Sequence, residues 1–158
     1  MDYEPLLRWL HVIGACVLLG TGAGIAFFMV MAVRTGRTAL IAHVASTVVI
    51  ADTLFTATAV IVQPVTGYLL ALAVGWPLTK GWIALSLVLY VITGMFWLPV
   101  VWIQIRLRDL ARQAEADGGA LPDAFHRLYR IWFAFGFPAF AAVLAIVWLM
   151  LARPAIEF

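Results

Sequence analysis

With 158 residues, 65% of them hydrophobic and 11% charged, the chain carries more apolar surface than a water-soluble domain of this size can hide. Lipid as the solvent removes that difficulty. The net charge of +2, with the basic residues set beside apolar runs, argues against nucleic acid as a partner, and the single cysteine, Cys16, excludes an internal disulfide and a cysteine-based zinc site.

From Trp9 to Val33 there is no Asp, Glu, Lys or Arg. A membrane crossing needs about 20 apolar residues, so this run predicts a first transmembrane helix over about 6–33. Asp2 and Glu4 ahead of it, and its length, argue against a removable signal peptide. Arg34, Gly36 and Arg37 then interrupt, and residues 38–79 are free of charge except for Asp52. Gly75-Trp76-Pro77 reads as a turn, which predicts a second helix over about 39–74, bent at Pro64. Lys80 opens the third apolar run, predicted over about 81–108 with a kink near Pro99. Residues 106–130 are the only strongly polar stretch, read as a helical continuation of the third span that breaks at Asp117-Gly118-Gly119. The fourth helix is predicted over about 124–152, with Pro138 inside it.

Splitting the second run into two short spans would place Arg34 and Arg37 opposite the arginines of the long loop. Four spans instead gather Arg34, Arg37, Arg106, Arg108, Arg112, Arg127 and Arg130 on one side and leave Arg8, Lys80 and Arg153 on the other. The positive-inside rule favours the second arrangement. The expected fold is an all-α integral membrane four-helix bundle, up-down-up-down, with both termini outside and residues 1–158 forming one domain. Trp9, Trp76 and Trp82 near the outer face and Trp132 near the inner one suit interface anchors.

Few residues can carry chemistry. His11 lies one to two turns into the first helix, with Ala15, Leu18, Gly22 and Met29 on its face. An imidazole there must find a partner or serve as a ligand; haem iron and an interhelical hydrogen bond are both open readings. Asp52 is the only formal charge well inside an apolar run, and Thr56, Ala59, Gln63 and Thr66 fall within about 40° of it by helical steps. That polar stripe suits a proton path, a cofactor wall, or a set of interhelical hydrogen bonds. His43 and His126, at the cytoplasmic ends of helices two and four, form an alternative histidine pair. Lys80 either snorkels to the interface or holds an anion such as a propionate. The Gly20-xxx-Gly24 pair permits close helix approach. No CxxC, HExxH, G-x-S-x-G, phosphate-binding glycine loop or methionine ladder occurs.

The runs LRWLHVIGACVLLGTGAG, VVIADTLFTATAVIVQPVTGYLLA, WPLTKGWIALSLVLYVITGMFWLPVVWIQIRLRDLA and YRIWFAFGFPAFAAVLAIVWLMLARP resemble, over nearly the whole chain, the predicted bacterial integral membrane proteins grouped as domain of unknown function 2269. That resemblance implies a multi-pass protein of the bacterial inner membrane and no assigned activity. A more distant likeness is to HemJ-type protoporphyrinogen oxidases, four-helix proteins that bind haem b, and to CopD-like membrane domains. It rests on His11, on Lys80 followed ten residues later by Tyr90, and on Arg153-Pro154. It implies His11 as the haem ligand and a functional role for Lys80. Val91 stands where that family has a histidine, and Phe135-Gly136-Phe137-Pro138 where it has Asn-Glu-x-Pro, so haem binding is implied more than the oxidase reaction.

Three functions follow as expectations. The first is a haem b protein of redox or electron-transfer type, with His11 as axial ligand, Gln63, Thr56 and Gly22 around the cofactor, and Asp52, Lys80 and Tyr90 as catalytic groups. A redox partner or quinone would exchange electrons with it, and a homo-oligomer could supply the second axial ligand. The second is a transporter of copper or another small solute, with Asp52 as coupling carboxylate. The third is an accessory membrane protein without a cofactor.

Overall fold

In the computed structural model, which describes residues 3–156, five α-helices and one π-helical turn form four long rods. Asp2, used above against a signal peptide, lies outside the described residues. Helix α1 (Glu4–Arg34) begins with Pro5 in its first turn, where the missing N–H has no intrahelical partner to lose. Span two is continuous from Thr38 to Val74 and comprises α2 (Thr38–Ala51), a π turn (Asp52–Thr56) and α3 (Ala57–Val74). Helices α4 (Gly81–Ala116) and α5 (Asp123–Ala152) complete the set. All four rods are long and apolar enough to cross a membrane. The protein is an all-α four-helix membrane bundle.

Local chemistry sets the ends of these helices. Span two stops at Gly75, whose left-handed φ of 76° lets Trp76 N–H reach Ala71 O at 2.9 Å and Gly75 N–H reach Leu72 O at 3.2 Å. The same arrangement ends α4: Gly118 takes φ 63°, and Gly119 N–H closes on Ala114 O at 2.9 Å. At 36 residues α4 is the longest helix. With a rise of about 1.5 Å per residue it outruns a hydrocarbon core of about 30 Å, so its last turns, past the expected end near 108, leave the apolar layer.

Short connections make successive spans antiparallel. Span two packs against α1 and α4, α4 against α5, and α5 against α1, so the bundle closes in sequence order. Two packed clusters fill its ends. One joins Met29, Ile41, Ala45, Leu107, Ala111 and Phe125 at the arginine-rich end; the other joins Trp82, Ile83 and Leu149 at the opposite end. Trp82 and Trp132, each 4% exposed, belong to these cores and are not interface anchors, whereas Trp9 is 59% exposed. Both rings are large enough to stabilise the bundle more by filling it than by lying at its rim. Between the clusters the centre is not filled.

Candidate intramembrane cavity

Span two changes partner at its π turn. Below it, α2 packs on α1 and α4; above it, α3 packs mainly on α1. The turn carries an i→i−5 bond, Ala57 N–H to Asp52 O, and so holds one residue more than an α-turn. Asp52 and Thr56 at its two ends are both buried, at 4% and 6% exposure. Ala59 and Thr66 are buried on the same helix, with Gln63 half-buried between them.

Where α3 leaves α4, a cavity of about 370 Å³ opens among all four spans. Its volume lies in the range of small-molecule sites. Span two contributes Asp52, Thr56, Val60 and Gln63, and α4 contributes Tyr90, Thr93, Trp97 and Gln104. From α1 come small residues, including Ala15, Gly22, Ala23 and Ala26, and from α5 come Trp132, Phe133, Gly136, Phe137 and Phe140. Ala23, Ala26, Phe133, Phe137 and Phe140 are exposed on the outside of the bundle as well. The cavity therefore reaches the lipid-facing surface along the seam between α1 and α5.

Its wall is apolar except for a few groups. Trp97 Nε1–H points at Asp52 Oδ1 over 3.4 Å, long for a hydrogen bond. The side-chain oxygens of Gln63 and Gln104 and the Nε1–H of Trp132 are buried without a hydrogen-bond partner. Native interiors rarely tolerate such groups unless a ligand or water completes them. Tyr90 is differently placed. Its hydroxyl donates to the carbonyl of Val60. That carbonyl would otherwise accept the N–H of residue 64, which is proline. Tyr90 thus repairs the hydrogen bond that Pro64 removes, and ties α4 to α3.

The expected site residues separate into two groups. Asp52, Thr56, Gln63, Gly22 and Tyr90 meet at the cavity. His11 and Lys80 are not part of its wall. Nδ1 of His11 lies 3.1 Å from Thr66 Oγ1, which is 2.9 Å from Val62 O. Thr66 Oγ1 also lies 3.1 Å from Gln63 O; it accepts from His11 Nδ1–H when it donates to either carbonyl, and donates to Nδ1 in the other tautomer. The ring lies against Gly67, so closely that a Cβ there would sit 2.9 Å from its Cε1. Gln63 reaches across to Gly14 and stands between His11 and the cavity. Lys80 is exposed at the far end of the bundle, 5.6 Å from the Trp76 ring that also carries Arg153 at 4.8 Å. His43 and His126 are exposed, and neither lines the cavity.

As a haem ligand His11 is chemically suited in the tautomer whose Nδ1–H is held by Thr66 and whose Nε2 keeps its lone pair. The cavity wall itself offers no histidine, cysteine or methionine among the described residues, and no group of three metal-binding side chains occurs among them. Trp97, Gln104, Trp132 and the α5 aromatics were not singled out in the sequence as site residues. Gln104 could have been, as an amide one helical turn inside the arginines of α4.

Comparison with known proteins gives one family. The sequence profile of the family described as "Predicted integral membrane protein (DUF2269)" matches residues 5–154. No curated protein and no solved structure matches the chain.

Proposed function

The chain belongs to the DUF2269 family of predicted integral membrane proteins, and on that premise we propose that it binds a small, mostly apolar molecule in the cavity between its four spans. The observation that carries this reading is the combination of an apolar wall with buried, unpartnered polar groups at Gln63, Gln104 and Trp132. An apolar body gains from leaving water or headgroups, and a few polar contacts fix its orientation. The seam between α1 and α5 gives such a molecule lateral access from the bilayer. The membrane is the inner membrane of a bacterium, with the arginine-rich end of the bundle in the cytoplasm.

Filling the cavity tests the reading. A Cβ built on Gly22 or Gly136 meets nothing within 4 Å. Gly22→Leu and Gly136→Leu should therefore fold and occupy the space a ligand would take. With purified full-length protein, calorimetric titration of 1-naphthylmethanol, corrected against empty micelles, should show one site per chain in the wild type and none in the double variant. No saturable site in the wild type, or undiminished binding in the filled variant, contradicts the proposal.

A second reading, haem b held by His11, is favoured by the Thr66 contact at Nδ1, which suits the tautomer whose Nε2 carries the lone pair. Haem would supply one-electron chemistry, His11 would hold its iron, and Thr66 would orient His11. Gln63 would have to swing aside to join the imidazole to the cavity. Purified protein would then be red, with a Soret band absent from His11→Ala; colourless protein after expression with added haem precursor excludes it.

A further inference from the structure

Asp52 is 4% exposed and lines the cavity, yet no lysine, arginine or histidine lines it among the described residues. Two neutral donors stand beside its carboxyl, the Thr56 hydroxyl one turn on and Trp97 Nε1–H at a weak 3.4 Å, and neither brings charge. A carboxylate removed from water needs a cation or a full set of donors to stay ionised. One more acceptor makes the same demand: the side-chain oxygen of Gln104, on a residue 5% exposed. Around them stand the rings of Tyr90, Trp97, Trp132, Phe133 and Phe137. Aromatic faces carry negative potential and attract cations. The cavity thus has two acceptors, Asp52 and Gln104, and several aromatic rings in its wall without a fixed positive charge to balance them.

We propose that the ligand of this cavity is a lipophilic amine, held in its ammonium form with Asp52 as the countercharge. The proposal deepens the cavity reading above and rests on it. A neutral alcohol can donate to one acceptor, but it leaves the carboxyl without a cation. A quaternary ammonium ion supplies charge but has no N–H for the Gln104 oxygen. A primary or secondary ammonium group supplies both, and its apolar body fits the alanine, glycine and aromatic remainder of the wall. Trp132 Nε1–H, buried without an acceptor, adds that a ligand carrying one acceptor on its body is bound better than a plain hydrocarbon amine.

The test compares two probes of nearly the same shape, 1-naphthylmethylamine and 1-naphthylmethanol, by calorimetry on the purified full-length protein at neutral pH. Because a charge-assisted hydrogen bond in a water-poor site is roughly twice as strong as a neutral one, the wild type should bind the amine at least about tenfold more tightly than the alcohol. Asp52→Asn keeps the shape of the side chain and should reduce that ratio to about one, with alcohol affinity unchanged; Asp52→Glu should retain most of it. Gln104→Leu, which alters no charge, is the second variant and should weaken the amine more than the alcohol. Equal affinities in the wild type, or a ratio untouched by Asp52→Asn, overturns the proposal while leaving the cavity reading intact. Failure of both probes to bind the wild type overturns both.

Discussion

Among single residues, Pro64 and Tyr90 show how a membrane helix handles a broken hydrogen bond. In lipid no water replaces a missing N–H, so the Val60 carbonyl freed by Pro64 must find another donor. The Tyr90 hydroxyl provides it from the neighbouring helix. Tyr90→Phe should therefore cost about 1–3 kcal/mol, the penalty of a buried acceptor left alone. In a Pro64→Ala background residue 64 regains its N–H, and the same tyrosine substitution should cost much less. A double-mutant cycle on unfolding in detergent measures this coupling, and additive costs would contradict it. The sequence allowed both partners to be noticed but not joined: Pro64 reads as a bend, and Tyr90 as a catalytic group through family resemblance. What links them is the rule that a proline orphans the carbonyl four residues back, plus a helix pairing that no periodicity supplies. His11 was partly legible in the same way. An imidazole in an apolar run must have a partner, and Thr66 lies on the polar stripe that the sequence marks; the hydrogen bond between them requires the register of α1 on α3.

At the level of elements, span two departs most from sequence expectation. Asp52, Thr56, Gln63 and Thr66 were readable as one face because polar residues stand out in an apolar helix. The π turn at its centre was not, since nothing in Asp52-Thr53-Leu54-Phe55-Thr56 distinguishes it from an α-turn. Nor was the α5 wall, because Trp132, Gly136 and Phe137 carry no polar mark in a helix that is apolar all round. The π turn can be understood as an α-helix that has absorbed one extra residue. One residue of α-helix turns about 100°, so an unabsorbed insertion would re-aim everything beyond it by that amount. Removing Phe55, which is 51% exposed, should accordingly restore an α-turn and leave both flanking faces where they are. Inserting alanine after Phe55 should instead rotate α3 away from α1. The readout is a disulfide between His11→Cys and Thr66→Cys in a Cys16→Ser background. It should form in the parent and in the Phe55 deletion and be strongly reduced in the insertion. Loss of the cross-link in the deletion alone would show that the wide turn itself, not its phase, aligns the two helices.

Across the whole molecule, charge and packing point the same way. The α1–α2 connection, the last turns of α4 and the start of α5 bring Arg34, Arg37, Arg106, Arg108, Arg112, Arg127 and Arg130 to one end of the bundle. Of these, Arg108 is paired with Asp109 at 2.8 Å, while at the opposite end Arg8 is paired with Glu4 on its own helix. The bias that orients a chain during insertion is the count of Lys and Arg, seven at the arginine-rich end against Arg8, Lys80 and Arg153 at the other. A cysteine at Thr79, in the short connection before α4, should then react with a membrane-impermeant maleimide on intact cells. A cysteine at Ala120, in the turn between α4 and α5, should react only after the cells are opened; both need the Cys16→Ser background, because Cys16 is exposed on α1. The reverse pattern would invert the molecule, and labelling of both positions from outside would break the antiparallel order of α4. Orientation also bears on the cavity. Asp52 sits nearer the arginine-rich end and His11 nearer the other, so an amine drawn in through the α1–α5 seam would meet its countercharge in the inner half of the bilayer. Moving charge tests this dependence directly. Leu78→Lys beside the existing Lys80, together with Arg34→Gln and Arg37→Gln, should invert a measurable fraction of chains. In that fraction Thr79→Cys would be shielded on intact cells, although the bundle and its cavity are unchanged.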